Sequence, residues 1–446
     1  MTGLPGARVI VVDDQESEAL PILKAFAKEG VPAAFFDGNP QGLPSDDRRL
    51  RGVRLAILDM DLTGGGVSDK SKISTLLNCL RRILRSDNGP YTVIAWTYHA
   101  ELLEKFEKSV FSEKDVPKPI LSLMLTKTQC KSEDGEFSLS VVSEKLAEAL
   151  GQFSPVLFLQ GWEQKCFLAA TEVTNGLSAL VAPQTKDRTK FRESWKKHFL
   201  QLLHAMASAQ ADRHLDPDTC LSAVYGSLGP LYADRMESHA ADLSAALVQS
   251  SEEILRASAD CGNDRKARVN TLLHLAFEGL QRFTGGNLYV FPNKKRPQWL
   301  PDSRRLIEDF IQGKKGHPET AAKATQLEGV TIPVLVEIGA NCDHAQKNIR
   351  VARLIFGVAL PSGERNKINP RAEFIWEIGP IFLKGKRRAP EKYNIYLSAR
   401  HLVSLGLDKA EEMKPYARFR SQALVDLQAW FARHASRPGM VLLRQS

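Results

Sequence analysis

No apolar run in this chain approaches the roughly 20 residues that a membrane-crossing helix needs. The first residues show no basic region followed by a secretory apolar segment, so no export is expected. Cysteine is scarce: six residues (Cys79, Cys130, Cys166, Cys220, Cys261, Cys342) lie far apart, with no Cys-x-x-Cys pair. That spacing suggests neither a disulfide framework nor a zinc site, and a reducing cytoplasm is the expected compartment. Also missing are an aromatic-interleaved basic strip and a DNA-binding helix signature. The net charge of +8 permits weak attraction to nucleic acid but does not support nucleic acid as a partner. The clearest basic runs, Lys294-Lys295-Arg296 and Lys384 to Arg388, carry proline or glycine and read as solvated loops.

What is present is an ordinary globular composition, 43% hydrophobic and 25% charged, over 446 residues. That length is too great for one core and predicts two or three domains. The first third alternates apolar runs with segments that can be helical. Leu55-Ala-Ile-Leu58 closes on Asp59, with Asp61 two residues on. Arg8-Val-Ile-Val-Val12 closes on Asp13 and Asp14, Tyr91 to Trp96 closes on Thr97, and Ile120 to Thr126 closes on Lys127. Between them lie Glu16 to Lys28, Lys72 to Leu84 and Ala100 to Ser109, and Val141 to Leu150 adds a closing helix. Buried parallel strands read as continuous apolar runs, so the alternation predicts a doubly wound parallel α/β sheet. Such a sheet gathers its strand ends, and with them its ligands, on one edge. Acid pair, acid, hydroxyl and lysine would then meet in one pocket.

That order of residues resembles the receiver domain of two-component response regulators, over about residues 1–150. The resemblance implies a role for each. Asp13 and Asp14 match an acidic pair that holds Mg2+, and Asp59 matches the carboxylate that takes a phosphoryl group from a histidine kinase. Asp61 would offer its backbone carbonyl to the metal. Thr97 matches the hydroxyl that follows the phosphoryl oxygen, and Lys127 the ammonium that pairs with it. The residue types suit the chemistry independently: Mg2+ takes oxygen ligands, and phosphoryl transfer needs positioned charge more than covalent machinery. Asp61 is the rival acceptor, and Asp59 is favoured because it directly follows the apolar run. Three features depart from the family. Thr128 stands where proline usually follows the lysine, Met124 stands at the usual aromatic switch position, and the intervals from Asp59 to Thr97 and on to Lys127 are long. A receiver kept only as a docking module is the alternative.

From Val156 to about Phe283 the apolar spacing is helical and predicts a bundle over 151–284, with dimerisation or docking as its use. Five histidines in it (His198, His204, His214, His239, His274) are candidates for a relay histidine, without a supporting signature. From Gly285 short β-branched and aromatic runs predict a small sheet or barrel over 285–446: Leu288 to Phe291, Thr331 to Ile338, Leu354 to Leu360, Phe374 to Ile378 and Tyr393 to Leu397. An amphipathic helix from about Phe419 to His434 follows. Cys342 and His344 could suggest nucleophile and base, but residues two apart on an extended segment face opposite ways. A local turn is the favoured reading there, with a faint resemblance to SH3-like barrels of growth-inhibitor toxins.

The whole arrangement resembles receiver proteins of bacterial anti-phage conflict systems. The expectation is a phosphoacceptor that signals or buffers phosphate. The chain shows no nucleotide-binding glycine loop or hydrolase motif, so no enzymatic domain is expected beyond the receiver's own phosphorylation and dephosphorylation. The rivals are an effector tail (nuclease or translation inhibitor) gated by Asp59, and a scaffold that never takes phosphate.

Overall fold

Four apolar runs and one half-buried edge run form the strands of the N-terminal sheet. The strands are β1 (Val9–Val12), β2 (Ala33–Phe36), β3 (Leu55–Leu58), β4 (Thr92–Thr97) and β5 (Leu121–Thr126). The computed structural model describes residues 7–63, 66–99, 101–131, 137–151, 154–211, 215–240, 252–257, 261–291, 297–300, 302–311, 317–340, 344, 349–369, 372–383 and 391–435. All pairings in this sheet are parallel, in the order β2-β1-β3-β4-β5. That is the flavodoxin-like order, whose switch point falls between β1 and β3. The edge strand β2 escapes the sequence pattern because Ala33–Phe36 is only half-buried and closes on no pocket residue, although it is as long as β1 and β3.

The helices are α1 (Glu16–Lys28), α2 (Asp69–Ile83), α3 (Glu101–Ser112) and α4 (Leu139–Gly151). Successive strand residues point to opposite faces, and each face has its own core. Ile10, Val12, Ala56, Leu58, Val93 and Ala95 pack with Leu76 and Leu80 of α2 and Phe106 of α3. Val9, Val11, Leu55, Ile57, Ile94 and Trp96 pack with Ile22 of α1 and Val142 and Leu146 of α4. Each such fully buried aliphatic side chain stabilises the fold by about 1.5–3 kcal/mol. Helix α1 stops at Gly30, whose φ of +69° is open to glycine at little cost; its N–H reaches Ala27 O while Val31 N–H reaches Phe26 O.

Three long helices follow: α5 (Ser154–Leu180), α6 (Arg188–Ala211) and α7 (Pro217–Ala240). By compactness the chain divides into two units, Met1–Glu172 with Asp234–Ala257, and Val173–Ala233 with Ser258–Ser446. In the first, Glu163 of α5 clamps the starts of β1 and β3: Arg54 donates from Nη2 at 2.6 Å and Arg8 lies at 3.1 Å. This is the edge opposite the strand ends that carry the acids. In the second, α6 and α7 meet through the small buried side chains Ala207, Ala223 and Val224. Ser227 Oγ donates to Met206 O at 3.1 Å across that seam.

The second unit also holds a seven-stranded antiparallel sheet. Its strands are β6 (Leu275–Ala276), β7 (Asn287–Val290), β8 (Ile332–Glu337), β9 (Val351–Pro361), β10 (Ile375–Leu383), β11 (Glu391–Gly406) and β12 (Ala417–Phe419). They lie in the order β10-β11-β9-β8-β7-β12-β6. The expected runs from Leu288 to Leu397 all fall on these strands. One face packs on the helices Ser303–Phe310 and Pro318–Glu328 through Leu306, Ile307, Phe310 and Leu327. These helices are too short to register as periodicity. The other face is covered by the helix Ser421–Ala435 through Leu424, Leu427 and Trp430, the residues its apolar stripe predicts. The helical pattern expected to run to Phe283 instead ends at His274. Leu275 and Ala276 pair with Phe419 and Arg418 of β12, because Leu275 is buried against the sheet.

Candidate functional site

The register of the parallel sheet brings the strand ends together. Val12 stands beside Leu58, so the next residues, Asp13 and Asp59, are neighbours at the switch point. Their backbones extend the ladder, Asp13 N–H to Phe36 O at 3.1 Å and Asp59 N–H to Val12 O at 2.8 Å. On the other side Thr97 stands beside Thr126, and Lys127 follows.

Lys127 is the centre of the pocket. It is 1% exposed, and its ammonium donates to Asp59 Oδ2 at 2.8 Å, Asp13 Oδ2 at 3.1 Å and Glu18 Oε2 at 2.5 Å. Burial pulls its pKa down, but Asp59, Glu18 and Asp13 outweigh that, and the ammonium is held above the ordinary lysine value. Asp13 is fully buried, and burial first, then Asp59, push its carboxyl up to about 6 against the pull of Lys127. Asp14 is exposed at the rim; partial desolvation and then Asp59 raise its pKa. Backbone donors complete the carboxylates: Gln15 N–H reaches Asp13 Oδ1 at 2.8 Å and Asp61 N–H reaches Asp59 Oδ1 at 3.0 Å. Thr97 is buried, its Oγ1 accepting from His99 N–H at 3.0 Å.

One oxygen from each of Asp13, Asp14 and Asp59 lies within 4.8 Å of the others. Four carboxylates, counting Glu18, face one ammonium, and such a surplus of oxygen-borne charge suits a hard divalent cation. The donor set therefore fits a divalent metal, with these three aspartates as its holders.

Asp61 has a separate partner. Its carboxylate takes the ammonium of Lys72, 8% exposed on α2, at 2.5 Å. Of the expected residues, Asp13, Asp14, Asp59 and Lys127 share the pocket; Thr97 lies at the adjacent strand end, and Met124 is 47% exposed on β5. Sequence reasoning missed Glu18, Lys72 and Tyr98, whose hydroxyl donates to Glu18 Oε1 at 3.2 Å. Glu18 had a legible signal, since it lies in the first turn of the helix that directly follows the acid pair.

The second candidate is only partly described, because Cys342 and Asp343 lie outside the described residues. The His344 side chain is 6% exposed, its ring lies tilted against Phe283 at 4.7 Å between centroids, and its Nε2 lies 3.5 Å from Oε1 of the fully buried Glu337. Of the helical histidines, His198 contacts Ser194 at 3.3 Å, His204 contacts Ser208 at 3.5 Å, and His239 pairs with Glu172 at 3.2 Å. Burial lowers the pKa of His274, and His214 lies outside the described residues. The basic runs at 294–296 and 384–388 lie outside them as well.

Compared with known proteins, the chain matches no family model, no curated protein and no solved structure. No helix among the described residues is long and apolar enough to cross a membrane.

Proposed function

We propose that the protein is a receiver-like phosphoacceptor, phosphorylated on Asp59 by a histidine kinase. The observation that carries this reading is the buried Lys127 ammonium 2.8 Å from Asp59 and 3.1 Å from Asp13, at the carboxyl edge of a sheet in flavodoxin-like order. An Asp59 oxygen attacks phosphorus, the bond from phosphorus to the donor breaks, and its electron pair leaves with the donor. The product is an acyl phosphate on Asp59. Lys127 holds the entering equatorial oxygens, and Thr97 supplies a hydroxyl at the adjacent strand end. Asp13, Asp14 and Asp59 would hold Mg2+, with Asp61 offering its backbone carbonyl, and the ion would supply charge neutralisation for the incoming phosphoryl group. No described residue outside this pocket assembles a comparable acid cluster. The protein then serves as a signalling or phosphate-buffering component, and the anti-phage setting follows from the resemblance.

The test is intact-protein mass after incubation with acetyl phosphate and magnesium, and with a cognate kinase. Gain of one labile phosphoryl group, lost in Asp59→Asn, supports the reading. No gain from either donor leaves the scaffold. Growth arrest by the full chain only when Asp59 can be phosphorylated would favour the gated effector over the buffer.

A further inference from the structure

A second cleft, of about 700 Å³, opens in the C-terminal unit among the helix Asn263–His274, β6, β10 and β12. Its walls carry three arginines, Arg268, Arg418 and Arg420, against one acid, Glu278, with Phe277 and Phe382 as aromatic surface. The guanidinium groups are largely uncommitted. Arg268 lies 5.4 Å from the centroid of the Phe382 ring, and the nearby Asp264 carboxylate, which feels its charge, is hydrogen-bonded to Lys392 at 2.7 Å instead. Arg418 makes no side-chain hydrogen bond or ion pair among the described residues. Arg420 spends its Nε on Leu272 O at 2.8 Å. Another cavity, of about 580 Å³, differs in this respect. Its Arg365 is paired with Glu377 at 2.8 Å, and the same carboxylate takes Asn394 at 2.6 Å and Tyr396 at 3.3 Å.

The walls of the arginine cleft are braced. Arg418 stands on β12, paired to both β6 and β7. Thr271 Oγ1 accepts from Phe382 N–H at 2.8 Å and Asn270 donates to Pro380 O at 3.1 Å, tying the helix to β10. A cleft with excess charge of one sign focuses counter-ions, and arginine's planar fork matches phosphate. Aromatic and apolar wall beside such forks suits a base next to its phosphate better than a peptide carboxylate. We propose that this cleft binds a nucleotide, its phosphate held by Arg268, Arg418 and Arg420 and its base laid against Phe277 and Phe382. A free nucleotide and a segment of single strand offer the same chemistry. None of the cleft residues belongs to the acid pocket.

The experiment is fluorescence anisotropy of a fluorescein-labelled thymidine decamer with the full chain, with ATP and inorganic phosphate as competitors. Binding with a log–log salt slope near −2 is expected, about −0.7 for each of three phosphate-facing charges. Arg268→Glu, on an exposed helix surface, and Arg418→Glu each weaken binding about tenfold or more, while Arg418→Lys retains part of it. Lys323→Glu, exposed on the helix Pro318–Glu328 and outside the cleft, serves as the general charge control and leaves binding unchanged. ATP competing as well as unlabelled decamer identifies a free nucleotide, and a much tighter decamer identifies a strand. Absence of binding by both the labelled decamer and a fluorescently labelled ATP titrated directly, or equal losses in Lys323→Glu and Arg268→Glu, overturns the proposal.

Discussion

Lys127 Nζ sits 2.8 Å from Asp59 Oδ2, with the lysine 1% and the aspartate 5% exposed. Taking either partner away strands a buried charge, and the Asp13 and Glu18 carboxylates multiply the effect on the lysine's side. Lys127→Met is expected to destabilise the N-terminal unit by about 3 kcal/mol, read by urea unfolding, and to abolish phosphoryl gain. Unchanged stability with normal phosphorylation would mean that the lysine is dispensable.

Glu18 competes for the same ammonium at 2.5 Å and adds a negative charge where a phosphoryl group would enter. Glu18→Gln should therefore raise the initial rate of phosphorylation about three- to tenfold, the equivalent of roughly 1 kcal/mol in the barrier. Tyr98→Phe, which removes a hydrogen bond to Glu18 but leaves its charge facing Lys127, should not raise the rate. A rate that does not move with Glu18→Gln would assign Glu18 to helix stability alone.

Burial pushes the Cys79 thiol up from 9.0 to about 11, and Cys130 likewise to about 11. A raised folded-state value favours the protonated thiol, so the contribution is complete below pH 9 and is lost as pH rises through about 11. Each thiol is expected to account for about 2 kcal/mol of alkaline destabilisation. Unfolding at pH 8 and 11 in wild type and Cys79→Ala measures it: the mutant should show a shallower loss. At pH 8 iodoacetamide should label exposed Cys261 ahead of Cys79 and Cys130.

Gly357 lies on β9 beside Leu397 of β11 and Val334 of β8. A methyl group there would run into the carbonyl oxygen of Tyr396. Gly357→Ala should cost about 2–3 kcal/mol by overpacking between paired strands, seen as a lower thermal midpoint. Asp59 phosphorylation should be unaffected, because the two residues belong to different compact units.

The long helices expose Trp162, Phe167, Leu221 and Tyr225 at 53–70%. Dimerisation through this region predicts a dimer mass by light scattering and a monomer after Trp162→Glu with Phe167→Glu. A monomer at every concentration in the wild type would refute it.

The linear sequence by itself determined the strands that carry an apolar run buried on both faces and the helices with unbroken stripes. Val9–Val12, Leu55–Leu58 and Thr92–Thr97 are legible because a parallel strand is buried on both faces, and Leu424, Leu427 and Trp430 because a helix buries one. Asp13, Asp59 and Lys127 were legible because each closes such a run, and a doubly wound sheet brings run ends together. Tertiary structure alone decided what those ends touch. Glu18 turned toward Lys127, Lys72 claimed Asp61, and Leu275 left a helical pattern to pair with β12. Arg268, Arg418 and Arg420 came to share a cleft though 150 residues separate the first from the second. Such contacts depend on register, burial and charge across sequence-distant elements, and no local periodicity encodes them.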